Sequence, residues 1–359
     1  MIPAPAPHFP ADADAMTRLL ERLSRIAPRH PRWALDWLLA QEAQCRARGD
    51  RAGALDALVL RFYLLEHRGR ALELQADLHR AAEDAAPTLM PLQAARVAEA
   101  LGRLAYQQGN YLDATEHWSR ALDWAERAKD EHMGVSARIG LGQIHYAMGA
   151  WSTGLRFHRD ALQRLQGLND SYLAAKVAIN LGVGHLESQQ LEDAERQFSH
   201  GLAAARRGGH QEFEAEAHWH LAQTALARGQ MPLAVADCRL ALNLANRLQH
   251  HWLEAAASRT WTEIALARGD ETAAIRSTRH GLALAERIQS KAEQRRAHLQ
   301  LAKLLERLGD HREALQHLWR VVDLQTELDR QAQGSGPAAL SRLPTAVDEG
   351  LSYQGPSAN

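Results

Sequence analysis

The chain has 19 histidines among 359 residues, and two stretches crowd them. One is HQEFEAEAHWH, from His210 to His220; the other is QHHW, from Gln249 to Trp252. Such clusters raise metal binding first. Imidazoles ligate zinc from a helix when two rings at i and i+4 point the same way. His218 and His220 stand two residues apart, so on a helix they diverge by about 200°. Packing or surface roles are therefore expected for these rings, and neither a metal nor a cofactor is expected. The two cysteines, Cys45 and Cys238, lie far apart in sequence. They describe no disulfide framework and fit a reducing compartment. The carboxylates are scattered and offer no acid–base dyad. No phosphate-cradling loop, G-x-G-x-x-G, H-E-x-x-H, G-x-S-x-G or C-x-x-C occurs, so no catalytic residue is assigned and the chain reads as a non-enzyme.

The elements that would hold these residues repeat. Cut every forty residues from Leu101, the blocks begin LGRLAYQQGN, LGQIHYAMGA, LGVGHLESQQ, LAQTALARGQ, WTEIALARGD and LAKLLERLGD, with no insertion. Apolar residues recur at helical spacing, as in Leu101, Leu104 and Ala105. The ninth place is Gly109, Gly149, Gln189, Gly229, Gly269 and Gly309, where a left-handed residue ends one helix. The tenth often caps the next, as with Asn110, Asp270 and Asp310. Small residues at places two, fourteen and twenty-one let two helices approach, beside bulky Trp118 and Phe198. Each pair has too much apolar surface to stand alone, so neighbours must stack into a solenoid.

Residues 92–330 resemble the tetratricopeptide repeat. The family's W-x2-L-G-x2-Y…A-x3-F…A signature falls on Leu101, Gly102, Ala105, Ala114, Trp118 and Ala121, and again on Leu141, Gly142, His145, Gly154, His158 and Ala161. The period is 40 rather than the common 34. Longer versions occur in kinesin light chain, in bacterial peptide-pheromone receptors and in sensory arrays upstream of GGDEF-type diguanylate cyclases. The resemblance implies an all-α, right-handed α-solenoid of about seven helix pairs with an N-terminal helical cap. It places His145, His158 and His185 at core aromatic places, and Cys238 at the core place of Trp118.

It also implies a concave groove lined by the first helices. Carried over place by place, the groove includes Glu99, Arg103, Tyr106, Ile139, Gln143, Tyr146, Lys176, Asn180, Val183, Glu216, Trp219, His220, Gln223, Arg259, Thr260, Arg296, Gln300, Lys303 and Arg307. The middle reads as apolar and aromatic, with Trp219 an exposed anchor. The end near 259–307 reads as basic. Asn180, His220, Thr260 and Gln300 either pair with a peptide main chain or hydrogen-bond within the array. The expected partner is a protein or peptide segment of acidic, apolar character, and the expected function is a non-catalytic interaction scaffold. The alternative is a sensory or regulatory repeat protein controlling a separate output, such as a diguanylate cyclase or transcription regulator.

Bulk properties set the remaining expectations. A net charge of -1 argues against nucleic-acid binding. No apolar run reaches the roughly 18 residues that a membrane span needs. MIPAPAPHFPADADA lacks the features of a signal peptide, so the cytoplasm is expected. Residues 1–11 are expected to be disordered, and 12–50 to form capping helices. The solenoid is divided near 51–86, 92–130, 131–170, 171–210, 211–250, 251–290 and 291–330. A disordered tail is expected over 331–359. Within it, LSRLPTAVDEGLSY (340–353) is acidic and apolar, a candidate internal competitor for the groove.

Overall fold

The computed structural model describes Leu19 and residues 31–66, 69–84 and 90–332. The expectations for 1–11 and for the tail, including the 340–353 segment, therefore lie outside the described residues, as does most of the 12–30 cap. The described residues form α-helices α1 (Pro31–Ala47), α2 (Arg51–Glu66), α3 (Gln75–Asp84), α4 (Pro91–Gln107) and α5 (Tyr111–Ala128). The array continues with α6 (Glu131–Ala147), α7 (Trp151–Arg164), α8 (Ser171–Glu187), α9 (Leu191–Gly208) and α10 (Gln211–Ala227). Next come α11 (Met231–Leu248), α12 (His251–Ala267), α13 (Glu271–Arg287), α14 (Lys291–Arg307) and α15 (His311–Ala332). A short 3-10 turn, Ala71–Leu74, leads into α3. No strand occurs among the described residues. From α2 onward the helices pair as a right-handed α-solenoid, preceded by α1 as a helical cap.

Two left-handed residues per repeat make the corners. Gly109, Gly149, Gly229, Gly269 and Gly309 all have positive φ, and Gln189 takes the same conformation at φ 59. A second set, at place twenty-nine, follows the second helices of four repeats: Lys129, Gly209, Gln249 and Gln289. Side-chain caps start the next helix. Asn110, Asp130, Asp170, Asp270 and Ser290 each accept a hydrogen bond from a backbone amide three residues on.

The small places set how near the helices come. A methyl group added at Gly102 would stand 2.7 Å from the Trp118 indole, and one at Gly142 2.6 Å from the His158 ring. Trp118, His158, Phe198 and Cys238 accordingly pack between helices at the same place of successive repeats, each fully buried or nearly so. Each helix packs on its sequence neighbours, and successive first helices also touch.

Candidate functional site

The first helices α2, α4, α6, α8, α10, α12 and α14 touch in succession and so form the inner face of the array. Arg103 on α4 forks onto Glu66 of α2, its Nε donating to Oε1 at 2.8 Å while Nη2 donates to Oε2. Its Nη1 lies 3.3 Å from the Tyr172 hydroxyl on α8, two repeats away. Glu99, buried beneath, accepts from the Tyr63 hydroxyl at 2.6 Å and the Ser136 hydroxyl at 2.9 Å, with Lys176 Nζ at 3.7 Å. Burial opposes charge on Glu99, yet Arg103, Lys176 and the two hydroxyls hold its carboxyl below the usual range. Lys176 is pushed down to about 8, by burial first and then by Arg103. Asp56 and Arg96 form a further buried pair at 2.7 Å. The N-terminal half of the inner face is thus tied by its own ion pairs.

Curvature also brings the two ends together. A methyl group on Gly69, just after α2, would lie 3.1 Å from Ile288, just after α13. Burial raises the Tyr106 hydroxyl well above its usual range, and the Arg296 guanidinium of α14 acts on it in the opposite sense. The inner face between α2 and α14 is therefore confined.

Its middle is acidic. Glu212 and Glu216 stand one turn apart on α10. Their nearest basic groups are imidazoles, His210 at 3.8 Å and His220 at 4.0 Å. Burial pushes both carboxyls up to about 7, although 29 % of the Glu216 side chain remains accessible. Glu263 on α12 is raised by burial as well. Glu212 and Glu216 are half-buried and lie, with Glu263, between the Arg103 network and the C-terminal repeats; Lys176 and Arg103 act on Glu216, and Arg259 on Glu263, against the effect of burial.

Neither a family model nor a curated protein sequence matches this chain. Solved structures do. A Rap protein complexed with competence and sporulation factor superposes with a TM-score of 0.59 at 16 % identity, over 90 % of each chain. A STAND protein with a tetratricopeptide repeat sensor, from Pyrococcus horikoshii, gives 0.50 at 15 % identity, over 93 % of this chain and 49 % of that one. Aspartyl phosphate phosphatase F from Bacillus subtilis gives 0.50 at 12 % identity, over 89 % and 96 %. The fold is a TPR-like helical solenoid.

Against that solenoid, several groove expectations need correction. Trp219 is not an exposed anchor: it is 6 % accessible, and its indole N–H donates to Thr260 Oγ1 at 2.9 Å. Ile139 is fully buried in a core layer with Val135 and Val177. Tyr146 is buried too, donating to the Asn180 carbonyl at 3.1 Å. Asn180 donates to the Lys176 carbonyl at 2.8 Å. His220 lies flat on Phe198 at 4.8 Å, with Nδ1 2.9 Å from Gln223 Oε1. Asn180, His220 and Thr260 thus all hydrogen-bond within the array, which was the second of the two readings. Val183 is half-buried between two core layers; Gln143 and Gln300 are half-buried.

The basic end is largely neutralised. Arg259 and Arg296 share Glu293, each at 2.6 Å, and Arg307 reaches Glu271 at 3.1 Å. Lys303 is exposed. The histidines divide as their spacing predicts: His218 Nδ1 turns to Asp237 at 2.7 Å while His220 faces Phe198. His185 is half-buried rather than a core ring. Cys238 is fully buried, its thiol 3.4 Å from the Ala257 carbonyl and pushed up to about 12 by burial, which describes an inert thiol.

Sequence reasoning missed Asp56, Tyr63, Glu66, Tyr172 and Glu212. The forty-residue period contained the signal. Stepped back one block, Arg96 and Arg103 become Asp56 and Tyr63, and Tyr106 becomes Glu66. Moved one turn toward the N-terminus, Lys176 and Glu216 become Tyr172 and Glu212.

Proposed function

We propose that this protein is a non-catalytic scaffold that binds a peptide or protein segment along the concave inner face. The observation that carries this reading is the half-buried pair Glu212 and Glu216, which among the described residues has imidazoles alone within 4.0 Å as ion-pair partners, on a face whose other strong charges are mostly paired more closely. A cationic side chain of a bound segment would complete their neutralisation in a confined site, where charge pairing is worth more than at an open surface. Acidic residues of the segment would fall toward Lys303, an exposed cation of the C-terminal end. The Rap protein of similar fold is complexed with competence and sporulation factor, a peptide, which supports a peptide-class ligand here. The non-catalytic reading rests on most inner ionisable groups other than Glu212 and Glu216 being committed to structural pairs, such as Arg103–Glu66 and Asp56–Arg96.

The test is selection of a random peptide library on the full chain, followed by titration of the enriched peptides. Enriched sequences should carry a lysine or arginine, and Glu212→Gln with Glu216→Gln should weaken them by roughly tenfold. Equal affinity for the double variant would overturn the assignment of the middle of the groove.

A further inference from the structure

We propose that the outer face of α15 is the contact through which two copies of this chain associate, antiparallel, end to end. Place eighteen identifies the face. In five successive repeats that place is buried: Trp118 at 1 %, His158 at 0 %, Phe198 at 0 %, Cys238 at 0 % and Thr278 at 2 % accessible. The cover comes from the next repeat's first helix. A methyl group on Gly140 of α6 would run into the Trp118 indole, and the Cys238 thiol reaches the Ala257 carbonyl of α12. The sixth occurrence, Leu318, is 43 % accessible. Leu315, Trp319 and Val322 share its stripe at 55 %, 63 % and 54 %. Spacing of three and four residues makes this one continuous apolar helix face, of the kind that marks an interaction surface.

The sequence beyond α15 does not continue the repeat pattern. In register, Leu340 falls where Gly140 stands, Ser341 falls where Leu141 stands, and Pro337 and Pro344 take the places of Ala137 and Ile144. A proline at the Ile144 place removes an interior helix amide and clashes with the preceding turn.

A second copy does fit. A two-fold axis between Leu318 and Trp319 sets Leu315 of one α15 opposite Val322 of the other, and Leu318 opposite Trp319, by helix spacing alone. The same axis brings Arg312 within one turn of Asp323 on the second copy. Arg312 is exposed and has no ion pair among the described residues, while Asp323 has only Arg320 of its own helix, at 3.4 Å. The face is therefore complementary to itself in both shape and charge, as an isologous contact requires.

The experiment is sedimentation equilibrium of the full chain over a concentration series. The wild type should move from monomer to dimer mass. Trp319→Glu should raise the dissociation constant by roughly thirtyfold or more with unchanged circular dichroism, because the side chain is exposed in the monomer. Arg312→Asp should weaken the dimer and Asp323→Arg added to it should restore it, a rescue that general loss of folding would not give. A chain that stays monomeric throughout overturns the proposal. So does a Trp319 fluorescence, taken as the difference between the wild type with its nine tryptophans and Trp319→Phe, that is already shielded in the monomer and becomes exposed on removal of residues 333–359, which would assign the face to the chain's own tail.

Discussion

His158 carries two ring nitrogens into a fully buried layer without a hydrogen-bond partner for either. Phe198 fills the same place one repeat later with no polar atom to satisfy. His158→Phe should therefore raise stability by about 1–3 kcal/mol at neutral pH, the usual cost of an unpaired buried polar group. Burial holds the His158 imidazole down to about 3, against 6.5 in an exposed ring. A depressed histidine favours the folded state fully above about pH 6.5 and loses that contribution as pH falls toward the folded value. His220 and His298, each held down to about 4, act in the same sense. Glu212 and Glu216, raised to about 7, act oppositely: their contribution is lost as pH rises from 4.5 through 7. Urea unfolding of wild type and His158→Phe across this range isolates the one ring, and the gain from the variant should grow as pH falls from 6.5. A gain that does not change with pH would mean that the ring is solvated. The same scale explains why Trp219 was misread. Its place on a first helix is legible in the period, but its burial comes from Ala241, Leu253 and Ala256 packing on it, and Thr260, forty-one residues on, accepts the indole N–H. Local spacing carries no record of that contact.

At the scale of the element, the period left little hidden. Helix ends followed from Gly109 and its equivalents, and helix starts from Asn110 and Asp270. Place twenty-nine was harder to see because glycine occupies it at 209 while Lys129, Gln249 and Gln289 adopt the same left-handed backbone without being glycine. An L side chain in that conformation carries a steric cost that glycine avoids. Gln249 is exposed at φ 55, so nothing else is lost when its side chain is removed. Gln249→Gly should stabilise the fold by about 0.5–1 kcal/mol, the backbone relief exceeding the added freedom of the unfolded chain. Thermal unfolding measures the difference, and a lowered midpoint would show that the side chain contributes more than its backbone costs.

For the whole molecule, six equal blocks foretell a superhelix but not how sharply it turns. That depends on how close the first helices come on the inside, which is decided by the residues that meet there. Arg103 is the clearest case. It joins Glu66 on α2, approaches Glu99 on its own helix at 3.7 Å and touches Tyr172 on α8. Three first helices are thereby drawn toward one guanidinium, and the inner face between Glu99 and Lys176 narrows to a 3.7 Å contact. Removing one partner of a buried charge cluster leaves the rest uncompensated, at a cost of about 3–5 kcal/mol. Arg103→Ala should therefore be strongly destabilising, with Glu66 and Glu99 left facing one another across α2 and α4. Their repulsion acts along the direction that opens the superhelix, so the variant should also show a larger radius of gyration by small-angle scattering, at a protein concentration low enough to keep it monomeric. Glu66→Gln combined with Arg103→Met, which removes both charges, should restore most of the compactness, because Lys176, Ser136 and Tyr63 still hold Glu99. If Arg103→Ala unfolds more easily yet keeps the wild-type radius, the inner ion pairs stabilise the repeats individually and the curvature is set by the small places between helices instead.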